Sequence, residues 1–339
     1  MNSTSVHGLS QQEDFSFIKS ILLALTKYLW TIPVVLGVPG NILTILVARQ
    51  KHNRKMSPCV YMTAMAVSDT AFLLDVTWYY SLFYQGHLDA ITDVKARKLI
   101  IEFHIFIMFT LAKISGLYLA AMSVDRLIAV RFPMAAIRLC TTKRAKVTVL
   151  LITIPIVLIN IHIFFVFKYV EDLNSGVRII LYDDSVSGAV EKVFSTYMVI
   201  VGTGLPFSII LGANLLIIIT VKRASFERAK LNSNTSRAEK EERNQQHLTI
   251  LLLFISFAYV VTTLPYRLYD PILKLPQIKA IYDMTQQYWK LRYTLGIFFT
   301  ANLWFYNYAV NFYLYCIGGG KRYRDDTKAV IGQLFPCCK

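Results

Sequence analysis

Seven stretches of this chain are long enough and apolar enough to cross a lipid bilayer as helices, and that count constrains the fold more than any other feature. They run from Lys27 to Arg49, Pro58 to Tyr84, Ile100 to Val130, Val147 to Phe167, Val193 to Val221, His247 to Tyr269 and Leu291 to Ile317. A hydrocarbon core takes about 20 apolar residues in helix, and each run comes near that length. With 55% apolar residues, 17% charged ones and a mean hydropathy of +0.46, the composition is far from that of an ordinary soluble domain. The expected fold class is an all-α membrane protein, a seven-transmembrane helix bundle. The first run does not read as a removable signal peptide, since polar-flecked residues precede it and no small-residue cleavage site follows. No repeat relates the two halves, which argues against a transporter built from inverted repeats.

Orientation follows from lysine and arginine placement in the short flanking segments. The segments after runs one, three, five and seven hold 21 basic residues, against 12 at the amino terminus and after runs two, four and six. The basic side is read as cytoplasmic. That divides the chain into an extracellular amino terminus (1–26), the bundle (27–317) and a cytoplasmic carboxyl-terminal segment (318–339). The net charge of +15 then lies at the inner membrane surface, where anionic lipid rather than nucleic acid is the expected partner. Asn2-Ser3-Thr4 is a glycosylation sequon on the outside, whereas Asn234-Thr235-Ser236 falls inside and is expected to stay unmodified. The inner loop from Lys222 to Gln246 reads as a solvated extension of its flanking helices. In the outer loop from Lys168 to Lys192, the β-prone run Val177 to Tyr182 suits a hairpin lid.

All five cysteines, Cys59, Cys140, Cys316, Cys337 and Cys338, fall on the cytoplasmic side, so the outer surface has no covalent staple. Cys337 and Cys338 end a basic, partly apolar tail. They suit reversible palmitoylation or remain free thiols, and an adjacent pair without histidine cannot complete a tetrahedral metal site.

Polar residues inside the apolar runs carry the functional expectations. Asp69, Ser115 and Asn307 share one depth, each about 16 Å from its inner helix end, with Asn311 one turn below Asn307 and Asn41 nearby. A carboxylate with hydroxyl and amide oxygens at midplane suits a small hard cation such as sodium, or a water cluster. A protonated Asp69 in an interhelical hydrogen-bond network is the alternative. Asp125-Arg126 ends the third run where it re-enters water, either as an interfacial anchor or as a switch at the cytoplasmic surface. Lys113 and Arg267 sit within apolar helix and each needs an acid, from Asp75, Glu102, Asp270 or a ligand. An enzyme is not expected: the histidines are scattered, and no zinc-protease, nucleophile-elbow or phosphate-loop pattern occurs.

From about Pro33 to Tyr323 the residues resemble the rhodopsin-like G-protein-coupled receptors. The pieces are Gly40-Asn41, Met65-Ala66-Val67-Ser68-Asp69, Ser123-Val124-Asp125-Arg126, Leu205-Pro206-Phe207, Leu264-Pro265-Tyr266 and Asn307-Tyr308-Ala309-Val310-Asn311 with Tyr315, in that order. The stretch Asn311 to Cys316 followed by Lys321 to Arg324 is most similar to invertebrate neuropeptide receptors of the FMRFamide-receptor kind. The resemblance implies an extracellular peptide or small-molecule ligand, a heterotrimeric G protein, residence in the plasma membrane and no required cofactor. It implies that Asp125 holds Arg126 at rest, and that Asn214 and Tyr315 belong to the same switch. It further implies that Asp69, Ser115, Asn307 and Asn311 bind an allosteric sodium ion, that Pro206 and Pro265 bend their helices, and that an amphipathic helix follows Gly318.

Departures from the pattern are Leu127, Phe312, Asn214, Thr263 and Gln245, with Ile101 where the family's disulfide cysteine is expected. They suggest a divergent branch. Met108 is not an aspartate, which argues against an amine ligand, and Phe305 is not a lysine, which argues against a retinal Schiff base. The outer halves offer Met108, Lys113, Tyr266, Arg267, Trp304 and Tyr80 as the ligand-binding set, suited to a neuropeptide or a charged small molecule. A divergent chemosensory receptor, or a channel or transporter, are the alternatives.

Overall fold

The computed structural model describes residues 28–84, 87–171, 178–182, 188–231, 236–273, 287–318 and 320–334. Asn2, Asn234, Cys337 and Cys338 lie outside the described residues, as does the side chain of Asp270.

The first four spans are the helices Thr31–Ala48, Ser57–Tyr84, Val94–Arg131 and Thr142–Asn160. Their ends have local causes. Asp93 caps the third span, its carboxylate accepting the Lys95 amide at 2.8 Å, so that helix begins earlier than its apolar run. It stops at Phe132, whose φ of −133° and ψ of 68° lie outside the helical region that a following proline disfavours, and Pro133 then opens the short helix Pro133–Leu139. The Thr141 hydroxyl caps the fourth span on the Arg144 amide at 3.3 Å.

The fifth span is the helix Gly188–Val199, a π turn at Ile200–Gly204 and the helix Leu205–Leu231. Pro206 lacks the amide that would bond to the Gly202 carbonyl, which loosens the turn before it and lets one extra residue be accommodated. The sixth span is one long helix, Ser236–Leu273, that continues through Pro265. With Leu205–Leu231 it takes up most of the inner loop as helical extension. The seventh span differs from the uninterrupted helix expected over Leu291 to Ile317. It is split into Gln287–Tyr306 and Asn311–Gly318, joined by tight turn bonds such as Asn307 N–H to Trp304 O at 3.1 Å. The break is held from outside, because the Asn41 amide donates to the Tyr308 carbonyl at 3.1 Å and satisfies an acceptor that an α-helix would have used internally.

Beyond the break, Gly320–Leu334 forms a helix with Tyr323, Thr327 and Val330 turned inward at helical spacing and Lys321, Arg324 and Lys328 outward. It is tied to the first inner turn by Asn53, whose amide donates to Asp326 at 2.8 Å. On the opposite side of the bundle, strand β1 (Phe167–Glu171) pairs antiparallel with β2 (Arg178–Tyr182), Tyr169 opposite Ile180.

The third span packs against the second, fourth and fifth and is the axis of the bundle. Polar groups face inward: Asp69 and Asn160 are 0% exposed and Lys113 1%. Apolar groups such as Leu151 and Ile154 on the fourth span and Leu211 and Leu215 on the fifth face outward, the distribution a lipid solvent selects. The first span meets the seventh closely at Gly37, where a Cβ would stand 2.8 Å from the Ala309 backbone.

Candidate functional site: a polar line through the bundle

Three clusters of buried polar side chains lie along the third span, one at its basic end, one near its middle and one just beyond the middle toward the outer end. At the basic end, Asp125 is buried and accepts the Ser57 hydroxyl at 2.8 Å. Successive residues on a helix point about 100° apart, so one oxygen of Asp125 faces the second span while its charge still acts on the adjacent Arg126. Arg126 is partly exposed and makes no ion pair among the described residues. Cys140, in the turn that follows, donates its thiol to the Asp125 carbonyl at 3.3 Å; burial and the neighbouring carboxylate push that thiol up to about 11. Tyr315 is buried against Tyr323, with ring centroids 5.8 Å apart, and neither its hydroxyl nor the Asn214 side-chain oxygen has a hydrogen-bond partner among the described residues. A buried polar atom left open in this way is tolerated only at a cost, so both are positions where a second arrangement could supply the missing bond.

In the middle cluster the structure brings together three of the four residues expected there. Ser115 donates to one oxygen of Asp69 at 2.6 Å, and Asn311 donates to the other at 2.8 Å. Asn307 is turned instead toward the sixth span, 3.5 Å from the Thr262 hydroxyl. Its place before the break in the seventh span rotates it away from Asn311, so helical spacing across that break misassigns its face. Asp69 and Ser115 supply oxygen donors that suit a small hard cation. Asn311 in its present orientation offers Asp69 its amide N–H, and would have to present its carbonyl oxygen to join an ion shell. No cluster of three or more histidine, cysteine or acidic side chains able to hold a metal occurs among the described residues.

The third cluster occupies the outer half of the bundle. Lys113 is about 20 Å from Arg126 along the helix. Its ammonium bonds to the Asn160 side-chain oxygen at 3.1 Å and the Met198 sulfur at 2.9 Å. It also lies over the Phe109 and Tyr197 rings, at 5.5 Å and 5.3 Å. Asn160 is itself oriented, its amide donating to Thr110 at 2.8 Å and its oxygen accepting from Tyr197 at 3.2 Å. On the sixth span the Arg267 guanidinium stands 5.0 Å from the Trp304 ring centroid and 6.0 Å from that of Phe109. Trp304 stacks on Tyr266 with centroids 4.7 Å apart. Both cations are therefore housed by aromatic faces. Met108 and Tyr80 lie one layer away in the aromatic packing around Phe72, Trp304 and Phe305.

Of the three acids named as intramolecular partners, Asp75 and Glu102 are otherwise engaged, and the Asp270 side chain lies outside the described residues. Asp75 bonds to His104 Nδ1 at 2.8 Å, with His104 stacked 3.8 Å from Tyr79, and Glu102 pairs with Lys98 at 3.5 Å. The Asp75–His104 pair joins two helices, so a search for an acid at helical spacing along one helix does not find it. Asn160, Tyr197 and Met198 also escape such a search; a lone amide in the fourth apolar run was the one visible sign.

Comparisons with known proteins place the fold. The model of the family "7 transmembrane receptor (rhodopsin family)" matches residues 40–315. Many solved chains share the fold. Among them is squid rhodopsin, with a TM-score of 0.72 at 16% identity, covering 94% of this chain and 88% of that one. No match is found among curated proteins. A multi-pass helical bundle with these motifs in order, matched over most of its length, belongs to the rhodopsin family of seven-transmembrane receptors.

Proposed function

We propose that this chain sits in the plasma membrane with its amino terminus outside, is switched by an extracellular ligand, with neuropeptides the favoured class, and passes the signal to a heterotrimeric G protein at Arg126. The observation that carries this reading is Arg126 itself. It stands at the inner end of the third span, partly exposed and without an ion pair among the described residues, while its neighbouring acid is bonded to Ser57. A partly exposed guanidinium at an aqueous end, in no ion pair among the described residues, is available to an incoming carbonyl or carboxylate of a partner helix. The route from the outer chamber to that end passes the broken seventh span, where Tyr308 is held by Asn41 and Asn311 by Asp69. A break closed by tight i→i+3 turn bonds and held by side chains of two other spans is a place where the helix can rearrange. Pro265, above the inner half of the sixth span, is a second point where the helix can bend.

A sodium ion held by Asp69 and Ser115 would favour the arrangement in which the second, third and seventh spans are drawn together. Palmitoyl groups on Cys337 and Cys338 would fix the last helix to the inner leaflet, and a glycan on Asn2 would mark the outer end. A small-molecule chemosensory receptor is the second reading, favoured by the depth of Lys113. Screening a peptide and metabolite library on cells expressing the chain with a promiscuous G protein tests the proposal. A ligand-dependent response lost in Arg126→Ala is expected. Ligand-dependent ion or solute flux without G-protein activation would overturn it in favour of a channel or transporter.

A further inference from the structure

Lys113 is buried and Arg267 partly buried in the outer half of the bundle, and among the described residues no carboxylate pairs with either. Lys113 is 1% exposed, and among the described residues its ammonium meets only a neutral amide oxygen, a thioether sulfur and two ring faces. One of its three N–H donors is left over. The Arg267 Nε–H is buried with no hydrogen-bond partner among the described residues. Both cations lie against the same ring, Phe109, at 5.5 Å and 6.0 Å, so the two charges are neighbours across one side chain. Like charges sharing a low-dielectric chamber repel, and a buried charge without a counter-charge is costly. Resting on the receptor reading above, we propose that Lys113 and Arg267 jointly bind a carboxylate of the ligand, and that the ligand carries this acid on an aryl or short alkyl body.

The lining supports the second half of the statement. Around the two cations stand Phe109, Tyr197, Tyr266 and Trp304, with Met198 as the adaptable wall. Such a chamber recognises an apolar body and fixes its polar end with a few placed donors. Arg267 suits two-point contact with a carboxylate, and Lys113 adds a compact charge. Gly202, in the π turn of the fifth span, lies against the Lys113 stem with its Cβ position 3.6 Å from Lys113 Cε, so the lysine is packed along its length and its head is positioned.

The test uses the full chain in lipid nanodiscs and reads melting temperature, so it does not depend on a G protein, and its failure leaves the signalling reading to the nucleotide-exchange assay. One arm compares 3-phenylpropionate with 3-phenylpropionamide, the other acetyl-Asp-Phe-amide with its Asn counterpart, each at about 10 mM. Millimolar binding then gives a shift of a few °C. The acid of at least one arm should raise the melting temperature and its amide should not; which arm responds tells a free small acid from a peptide side chain. Lys113→Met and Arg267→Gln should each lose the response while melting cooperatively, and Lys113→Met should match or exceed wild type without ligand, because it removes an uncompensated charge. Met198→Glu, which puts a carboxylate where the sulfur now contacts Lys113, should raise the unliganded melting temperature and abolish the response. Equal shifts by acid and amide, an acid response that survives in both cation variants, or no shift in either arm would overturn the proposal.

Discussion

Replacing Asp69 separates a structural carboxylate from an ion-binding one. The side chain is 0% exposed and accepts from Ser115 at 2.6 Å and Asn311 at 2.8 Å. Asp69→Ala leaves both donors without an acceptor in a dry interior, at roughly 1–3 kcal/mol each, so a loss of about 2–6 kcal/mol is expected before any cavity contribution. Asp69→Asn is different. Its oxygen still accepts from Ser115, and Asn311 can turn its amide to offer an acceptor to the new N–H, so hydrogen bonding is restored. Removing a buried formal charge offsets the loss of charge-assisted bonds, and the net change should stay within about 1 kcal/mol. Sodium binding, by contrast, loses the one formal charge in its shell. At a sodium concentration about tenfold above its dissociation constant, wild type should gain about 1.4 kcal/mol, a few °C in melting temperature. The assay is melting of the reconstituted protein in sodium chloride against N-methylglucamine chloride at equal ionic strength. Wild type should shift, Asp69→Asn should melt near wild type without sodium and fail to shift, and Asp69→Ala should melt much lower. A sodium shift that survives in Asp69→Asn would refute the ion assignment, and Asn destabilised as much as Ala would refute the hydrogen-bond reasoning.

Gly37→Ala puts a methyl 2.5 Å from Leu73 Cδ1 and 2.8 Å from the Ala309 backbone, whereas Gly212 has open space around it. Overpacking costs roughly 1–3 kcal/mol and helix propensity returns about 1, so Gly37→Ala should lower the melting temperature and Gly212→Ala should raise it. Cys140, with its thiol pushed up to about 11 by burial and then by Asp125, should be alkylated slowly near neutral pH, its rate still climbing to about pH 10, as followed by peptide mass spectrometry. Asp125→Asn removes a negative charge that favours the protonated thiol, so it should lower the thiol's affinity for its proton and speed the reaction at neutral pH. On intact cells an amino-terminal tag should be accessible to antibody and a carboxyl-terminal tag should not.

The fold was largely legible because lipid enforces helices wherever a long apolar run occurs, and the order of short motifs added what hydropathy alone lacks. Helix ends were less so. Asp93 and Thr141 extend helices beyond their apolar runs by capping, and the π turn before Pro206 and the break at Asn307 depend on tertiary partners such as Asn41. The same limit applies to the sites. Asp69, Ser115 and Asn311 meet as their depths implied, since depth is a count along each helix. Which way a side chain turns is not such a count. Asp125 faces Ser57, Asn307 faces Thr262, and His104 meets Asp75 across a helix interface. Asn160, an isolated amide in an apolar run, proved to be the oxygen that orients Lys113.

The central claim is that Arg126 is the point at which this receptor acts on a G protein, and nucleotide exchange in nanodiscs tests it most directly. Wild-type and Arg126→Ala chains of matched melting temperature would be incubated with a panel of purified heterotrimers, with and without any ligand from the screen. GTP-analogue loading should exceed that of empty nanodiscs for at least one heterotrimer with wild type, and should fall to the empty-nanodisc rate with Arg126→Ala. Loading that is the same for both chains would contradict the account.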